Sequence, residues 1–412
     1  MENTFSFFVE TRALLRAVRC IKRYVPAREK ASVRKSVWLS VVDGRLKVEL
    51  DADARIAKFL PIEHLYEASP HPVAVSADLF LKVLSRCPEK IQILFAFNKF
   101  NVMAKDTTIV LPFIGPEWYF PESGALVPSS ADGLSKIIDA VARVYPSASM
   151  DPEMDAVHFV HFALKPGILR VEAINGFMYQ HVEIELDAST SAAAFLLNGA
   201  MLPYPHAKRL TEVFRSGFLG EGLGMWLTGT KANPKLSIFG QDGSITLPLK
   251  NKEYLDTEKI LQIRNNVKGS ITVRQQDIVS ALGMMLPTMH KSDRGVYFTP
   301  LPDSLRLITK TEMEGASNTA YLAPFEVSGD LPSLFAVPEE MLLSLIARSS
   351  SPHDDLRFEL TASEGPIFIS ASSRPEALSI IMPLKISGNY SYDIPEGVSA
   401  PGHVEEKHAE VA

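Results

Sequence analysis

What most constrains this chain is a repeat of pattern rather than of letters. A short amphipathic helix followed by several short, apolar, alternating strands recurs six times along the 412 residues. Helices are predicted to begin near Glu10, Ser76, Ser130, Tyr204, Arg274 and Pro338, roughly 55 to 70 residues apart, which leaves room for one helix and several strands per repeat. Strands are expected over 36–42, 45–50, 91–97, 107–113, 156–164, 168–174, 181–186, 296–300, 305–309, 358–361, 367–370 and 378–384. Asp43-Gly44, Pro166-Gly167, Asp242-Gly243 and Pro302-Asp303 punctuate them as turns. Such a chain is α+β with antiparallel sheets, and its length suggests two to four domains.

Net charge is -6, which argues mildly against nucleic acid, yet the placement of charge matters more than its sum. Between residues 12 and 35 stand Arg12, Arg16, Arg19, Lys22, Arg23, Arg28, Lys30, Arg34 and Lys35 against the single acid Glu29. In the first helix Leu14, Leu15, Val18 and Ile21 form the apolar stripe. Arg12, Arg16, Arg19 and Arg23 fall at i, i+4, i+7 and i+11 and make a continuous stripe on another face. Outward cations are also expected at Lys82 and Arg86, at Lys136 and Arg143, and at Lys208, Arg209 and Arg215. The fifth helix is weaker, with His290, Lys291 and Arg294 only beyond its end, and the sixth carries Arg348 late. Any one such helix reads as an ordinary solvated face. Four of six sharing the bias points to a surface that attracts phosphates without reading base edges.

Other chemistries find little support. No apolar run is long enough to span a membrane, and the first residues lack a basic segment followed by an apolar one, so neither a membrane span nor a secretory signal is expected. Cys20 and Cys87 have no partner motif and are expected as buried thiols. His158 and His161, three apart on a strand, should point to opposite faces and hold no metal. Gly220–Gly224 lacks the lysine of a phosphate loop and reads as a connection. Asp354-Asp355 reads as a solvated turn, and Trp118–Phe120 as packing. No cofactor and no catalysis are expected.

The chain resembles the bacterial DNA polymerase III beta-subunit family, the processivity clamps, over nearly its whole length to about Ile386. The resemblance is carried by Arg294-Gly295-Val296 with Leu305–Thr309, by Ser379–Ile386, by Val171–Phe177, by Tyr254–Leu261, and by Phe7–Leu15 with Asp43–Leu46, in matching order and spacing. It implies three tandem domains of clamp fold, over 1–126, 127–267 and 268–394, each with two helices and two antiparallel sheets, while 395–412, with its prolines, glycines and glutamates, reads from its own composition as a disordered tail. Two chains would close head-to-tail into a cytoplasmic ring around double-stranded DNA, with helices lining the hole. It also implies an apolar pocket for short peptides of a polymerase and a clamp loader. Its residues here would be Val157, Ile174, Gly176, Phe177, Leu255, Lys259, Ile260, Ile380, Ile381, Met382, Pro383 and Leu384. Without the resemblance, 380–384 reads as plain core. The chain departs from the family where Phe177 and Met178 replace a histidine and an arginine, where Leu255 replaces a proline and Lys259 an arginine, and where 26 residues follow Ile386. These departures suggest a divergent or accessory clamp; a scaffold or decoy that binds clamp partners without being loaded on DNA is the alternative.

Overall fold

The structure is a computed structural model. It describes residues 5–25, 33–66, 72–96, 99–115, 124–127, 131–187, 190–230, 233–311, 317–324, 326–349 and 353–384. Arg28, Lys30, Trp118–Phe120 and the tail lie outside the described residues. Two compact units emerge, one from Met1–Asn175 with His181–Leu255, the other from Gly176–Gln180 with Asp256–Ala412.

The helices are α1 (Thr11–Lys22), α2 (Ala77–Leu84), α3 (Ala131–Val144), α4 (Ser191–Leu197), α5 (Tyr204–Arg215), α6 (Glu258–Gln262), α7 (Gln275–Met285) and α8 (Glu339–Ser349). The long ones start within one residue of the positions the apolar spacing marks. Ser76 caps α2 through its side chain, which accepts from the Leu79 N–H. The short α4 and α6 carry too few turns to leave a periodic signature.

In the first unit, a five-stranded antiparallel sheet runs in the order Glu63–Tyr66, Phe5–Glu10, Lys90–Ala96, Lys99–Ala104 and Thr107–Leu111. A nine-stranded sheet runs from Phe113–Ile114 through Val73–Ser76, Ser36–Val42, Arg45–Asp51 and Arg55–Pro61. It continues through Gly243–Pro248, Asn233–Phe239 and Gly224–Thr230 to Gly124–Val127. Its seam pairs Lys58 with Gly243, Ala57 with Ser244, Ile56 with Ile245 and Arg55 with Thr246, so strands from residues 1–126 and from beyond 127 form one surface. Period-two alternation sorts the two faces. Leu46, Val48, Leu50 and Ile56 are buried on the side where α1 packs, and Arg45, Lys47 and Glu49 lie on the other. Helix α1 packs beside α2, and α3 beside α5.

In the second unit, Arg374–Ile381, Ile367–Ala371, Asp355–Leu360, Gly269–Arg274 and Glu326–Gly329 form one antiparallel array. Ser317–Leu322, Leu305–Lys310, Gly295–Pro300 and Phe335–Pro338 form another. Between them lies a core in which Ile278, Leu282 and Met285 of α7 and Leu342, Leu345 and Ile346 of α8 meet Val296, Phe298, Phe335 and Phe358.

Candidate nucleic-acid interface and partner-binding residues

The basic stripe of α1 forms as its spacing requires. Leu14, Val18 and Ile21 are buried, while Arg12, Arg16, Arg19 and Arg23 are all exposed. Arg16 Nε donates to Arg12 O at 3.3 Å, one turn back. Over eleven residues the stripe extends about 16 Å at the helical rise. On the neighbouring α2 side, Lys82 and Arg86 are exposed. None of these six has an ion pair among the described residues, so their charge is available to an anion. Lys22 is different, because its ammonium is paired with Asp78 in the first turn of α2.

The bias weakens elsewhere. On α3, Lys136 is exposed but paired with Asp187 at 3.0 Å, Asp132 and Asp139 share its exposed face, and Arg143 is half-buried. On α5, Lys208 and Arg215 are exposed with Glu212 between them. Arg209 does not extend outward as expected. It is half-buried, its guanidinium lies 5.6 Å from the centre of the Tyr24 ring, and its Nη2 donates to Tyr24 O at 3.4 Å. On α7 the exposed residues are Gln276, Val279, Ser280, Gly283 and Met284, none a cation; Lys291 is exposed but follows the helix. The Arg348 side chain lies outside the described residues. The concentrated positive surface is therefore that of α1 and α2.

The apolar residues assigned to partner binding divide by burial. Ile380 and Ile381 are 3% and 0% exposed, and Ile381 belongs to the core of the second unit. The strand ends at Ile381, earlier than the expected 384. Leu384 donates its N–H to Ala336 O at 2.9 Å and packs against Tyr297, Ile308 and Ala336. Ile380 and Ile381 are thus buried and Leu384 partly so. Met382 instead remains exposed and donates its N–H to Phe177 O at 2.8 Å; Phe177 is 62% exposed. Gly176, at φ +90°, makes the bend before Phe177. Lys259 is exposed beside Asp256, Ile260 and Pro383 are half-buried, and no residue of α6 is buried. In the first unit Val157 is buried, Ile174 half-buried and Leu255 exposed.

The remaining groups are structural. His158 Nδ1 donates to Ser149 O at 2.8 Å, whereas His161 Nδ1 lies 2.8 Å from Glu172 Oε1 and its ring stacks on Tyr254 at 4.3 Å. Burial, helped by Glu172, pushes the Tyr254 phenol far up. Among the described residues no cluster of three His, Cys, Asp or Glu could hold a metal. Cys20 and Cys87 are free and half-buried rather than buried, and burial raises both thiols. Asp354 is not the solvated acid expected: it is 4% exposed and accepts from Ser373 Oγ at 2.7 Å. Residues 220–223 are a connection, and Gly224 opens the strand Gly224–Thr230, where a Cβ would sit 2.4 Å from the Phe239 ring. No described helix is long and apolar enough to cross a membrane.

Antiparallel sheets backing pairs of amphipathic helices, one pair strongly cationic, place this chain in the class of clamp-fold α+β proteins. Within that class its fold is that of the DNA polymerase III beta subunits. The sliding clamp from Bartonella birtlesii, solved bound to griselimycin, is matched with a TM-score of 0.77 and 16% identity over 93% of this chain and 100% of that one. The clamp from Bacillus subtilis is matched at 0.78 and 13%, and the beta subunit from Thermotoga maritima at 0.74 and 14%, with the same coverage. No family model and no curated protein matches the sequence.

Proposed function

We propose that this chain is a DNA polymerase processivity clamp that encircles double-stranded DNA as a head-to-tail homodimer and has no catalysis of its own. The observation that carries this reading is the cationic face of α1 and α2 on a clamp fold, where Arg12, Arg16, Arg19, Arg23, Lys82 and Arg86 have no ion pair among the described residues. Non-specific phosphate contacts of this kind give dissociation constants of roughly 10⁻⁴ to 10⁻⁶ M at physiological salt, weak enough to slide when retention is topological. The domains are 1–126, 127–267 and 268–394. Ring closure would use the open sheet edges: Thr107–Leu111 ends the five-stranded sheet of the first unit and Ser317–Leu322 ends a sheet of the second. Such edges are templates for a further strand, and pairing one with the other in a second copy gives a heterologous contact that can close. Polymerase and loader peptides would engage the exposed Phe177 and Met382, in a bacterial cytoplasm.

A second reading, a scaffold for clamp partners that is never loaded on DNA, is favoured by α7, whose exposed face offers Val279 and Met284 in place of cations. Solution mass across a dilution series, followed by retention on circular and linearised plasmid, separates the two. A persistent dimer that is held on circles and lost from free ends establishes the clamp. A monomer, or binding indifferent to ends, establishes the scaffold.

A further inference from the structure

On the face of the nine-stranded sheet opposite α1, alternation aligns side chains from five adjacent strands around a cavity of about 380 Å³. The solvated face of an antiparallel sheet is ordinarily polar. Here three aromatic rings line the cavity. Trp226 and Phe239 lean on each other, with ring centres 5.0 Å apart, and form one wall. Phe59 forms the other, two strand spacings or about 10 Å away. Between them the paired residues are Ala57 and Ser244, whose small side chains leave the slot open.

The polar groups around the slot are unequal. Glu49, 1% exposed, holds Lys47 and Arg55, and Arg55 also reaches Asp51 at 2.5 Å, so these two cations are compensated from within. Ser237 and Thr246 satisfy each other at 2.8 Å. Arg45 donates one N–H to Gln241 O at 2.6 Å and lies over Phe59 at 4.9 Å, with no carboxylate partner among the described residues. The Trp226 indole N–H is buried and has no acceptor among the described residues. A buried donor without an acceptor is costly, and one lining a cavity invites an acceptor from outside.

We propose that this cavity is a docking site for an acidic-aromatic peptide segment of a partner protein. An aromatic side chain fills the slot between Phe59 and Phe239, a carboxylate meets Arg45, and a main-chain carbonyl accepts from Trp226. Charge complementarity selects the acid: Arg45 at the mouth has no carboxylate partner among the described residues, and Asp43, which also lines the cavity, is not paired with it. The spread selects a peptide: from the strand of Arg45 to that of Trp226 is four spacings, about 19 Å, longer than any single aromatic acid. The volume suits one aromatic residue and its neighbours. The site does not depend on DNA being encircled.

The probe is an acetylated, amidated hexapeptide with one phenylalanine among aspartates, titrated into the full chain carrying 5-fluorotryptophan. The fluorine signal of residue 226, assigned through Trp226→Phe, shifts saturably. In anisotropy with labelled peptide, Arg45→Gln weakens binding at least fivefold and flattens its salt dependence, Ser244→Phe abolishes it, and replacing the peptide's phenylalanine by alanine does the same. Thermal melting of both variants checks that they fold, and Arg45→Gln carries the test if Ser244→Phe does not. An unmoved fluorine signal at millimolar peptide, undiminished binding to Arg45→Gln, or phenylacetate competing as well as the peptide would each overturn the proposal.

Discussion

Arg209 of α5 lays its guanidinium over the ring of Tyr24, just past the end of α1, and donates to that residue's carbonyl. The contact ties segments 185 residues apart and removes from the candidate DNA surface a cation that helical spacing alone would place on it. Burial lowers the pKa of the guanidinium, while Asp53, Tyr24 and Glu212 oppose that change; burial also pushes the Tyr24 phenol up to about 12. Arg209→Ala should lower stability by about 1–3 kcal/mol, because a cavity and a severed contact result. Arg209→Met, which keeps the volume and removes a buried charge, should cost far less. Neither should change the salt slope of DNA binding; a slope reduced by about one in Arg209→Met would return this residue to the DNA face.

The opposite pattern is expected for the α1 stripe. Reversing Arg16, Arg19 and Arg23 to Glu should weaken DNA retention and reduce the slope of log affinity against log salt by about three, near one per lost phosphate contact, with dimerisation intact. These side chains are exposed and outside the core, so melting should hardly move. Filter binding at several salt concentrations reads the slope, and an unchanged value would show that the stripe does not face DNA.

How far the fold could be read from the sequence depended on whether a signal was local. Helix starts were legible because caps and 3.6-residue stripes lie within a few residues of one another. The strands Ser36–Val42 and Ile168–Ile174 agree to the residue because Asp43-Gly44 and Pro166-Gly167 end the alternation. The Arg55–Pro61 strand was missed because Lys58 stands on the helix-facing side, where its ammonium donates to Phe218 O at 2.7 Å and breaks the apolar alternation. The strands at 224–230, 233–239 and 243–248 hold glycine, threonine and proline among their apolar residues and blur the same signal. The seam from Arg55–Pro61 to Gly243–Pro248 joins residues almost two hundred apart, and no window along the chain contains it. The α1 stripe was legible for the same local reason. The loss of Arg209 and Lys22 from the free cations was not, since each depends on a partner supplied by a distant segment. The burial of Ile380 and Ile381 follows from the plain apolar pattern of this segment, whereas the binding role given to them and to Leu384 came from the resemblance alone.

For partner binding, the exposed pair Phe177 and Met382 is the place to cut. Their backbones are joined by the hydrogen bond from Met382 N to Phe177 O, which trimming a side chain leaves in place. Phe177→Ala should weaken a polymerase-derived clamp-binding peptide about tenfold or more, as loss of an aromatic anchor does, while leaving melting within about 0.5 kcal/mol of the parent. Ile381→Ala, in the core, should do the reverse and cost about 2–4 kcal/mol of stability. Equal peptide affinity for Phe177→Ala and the parent would place the partner surface elsewhere.

Acid sensitivity should trace to His206 on α5. Burial, with Arg209 and His158 adding repulsion, holds its imidazole down to about 4, and its Nδ1 is buried without a partner among the described residues. The folded state thus keeps this ring neutral, while the unfolded chain takes up a proton near 6.5. Its contribution is complete above about pH 6.5 and is lost as the pH falls from there toward 4, because the unfolded state then binds more protons. A tenfold difference in proton affinity between the two states is worth about 1.4 kcal/mol, so the loss should amount to roughly 2–3 kcal/mol at most. Denaturant melts of the parent and of His206→Gln between pH 7 and 4 check this. The parent should lose stability across that interval more steeply than the variant, whose curve lacks the imidazole's share of the slope. Parallel curves would show that the ring is protonated in the folded chain as readily as in the unfolded one, and that the buried Nδ1 finds water.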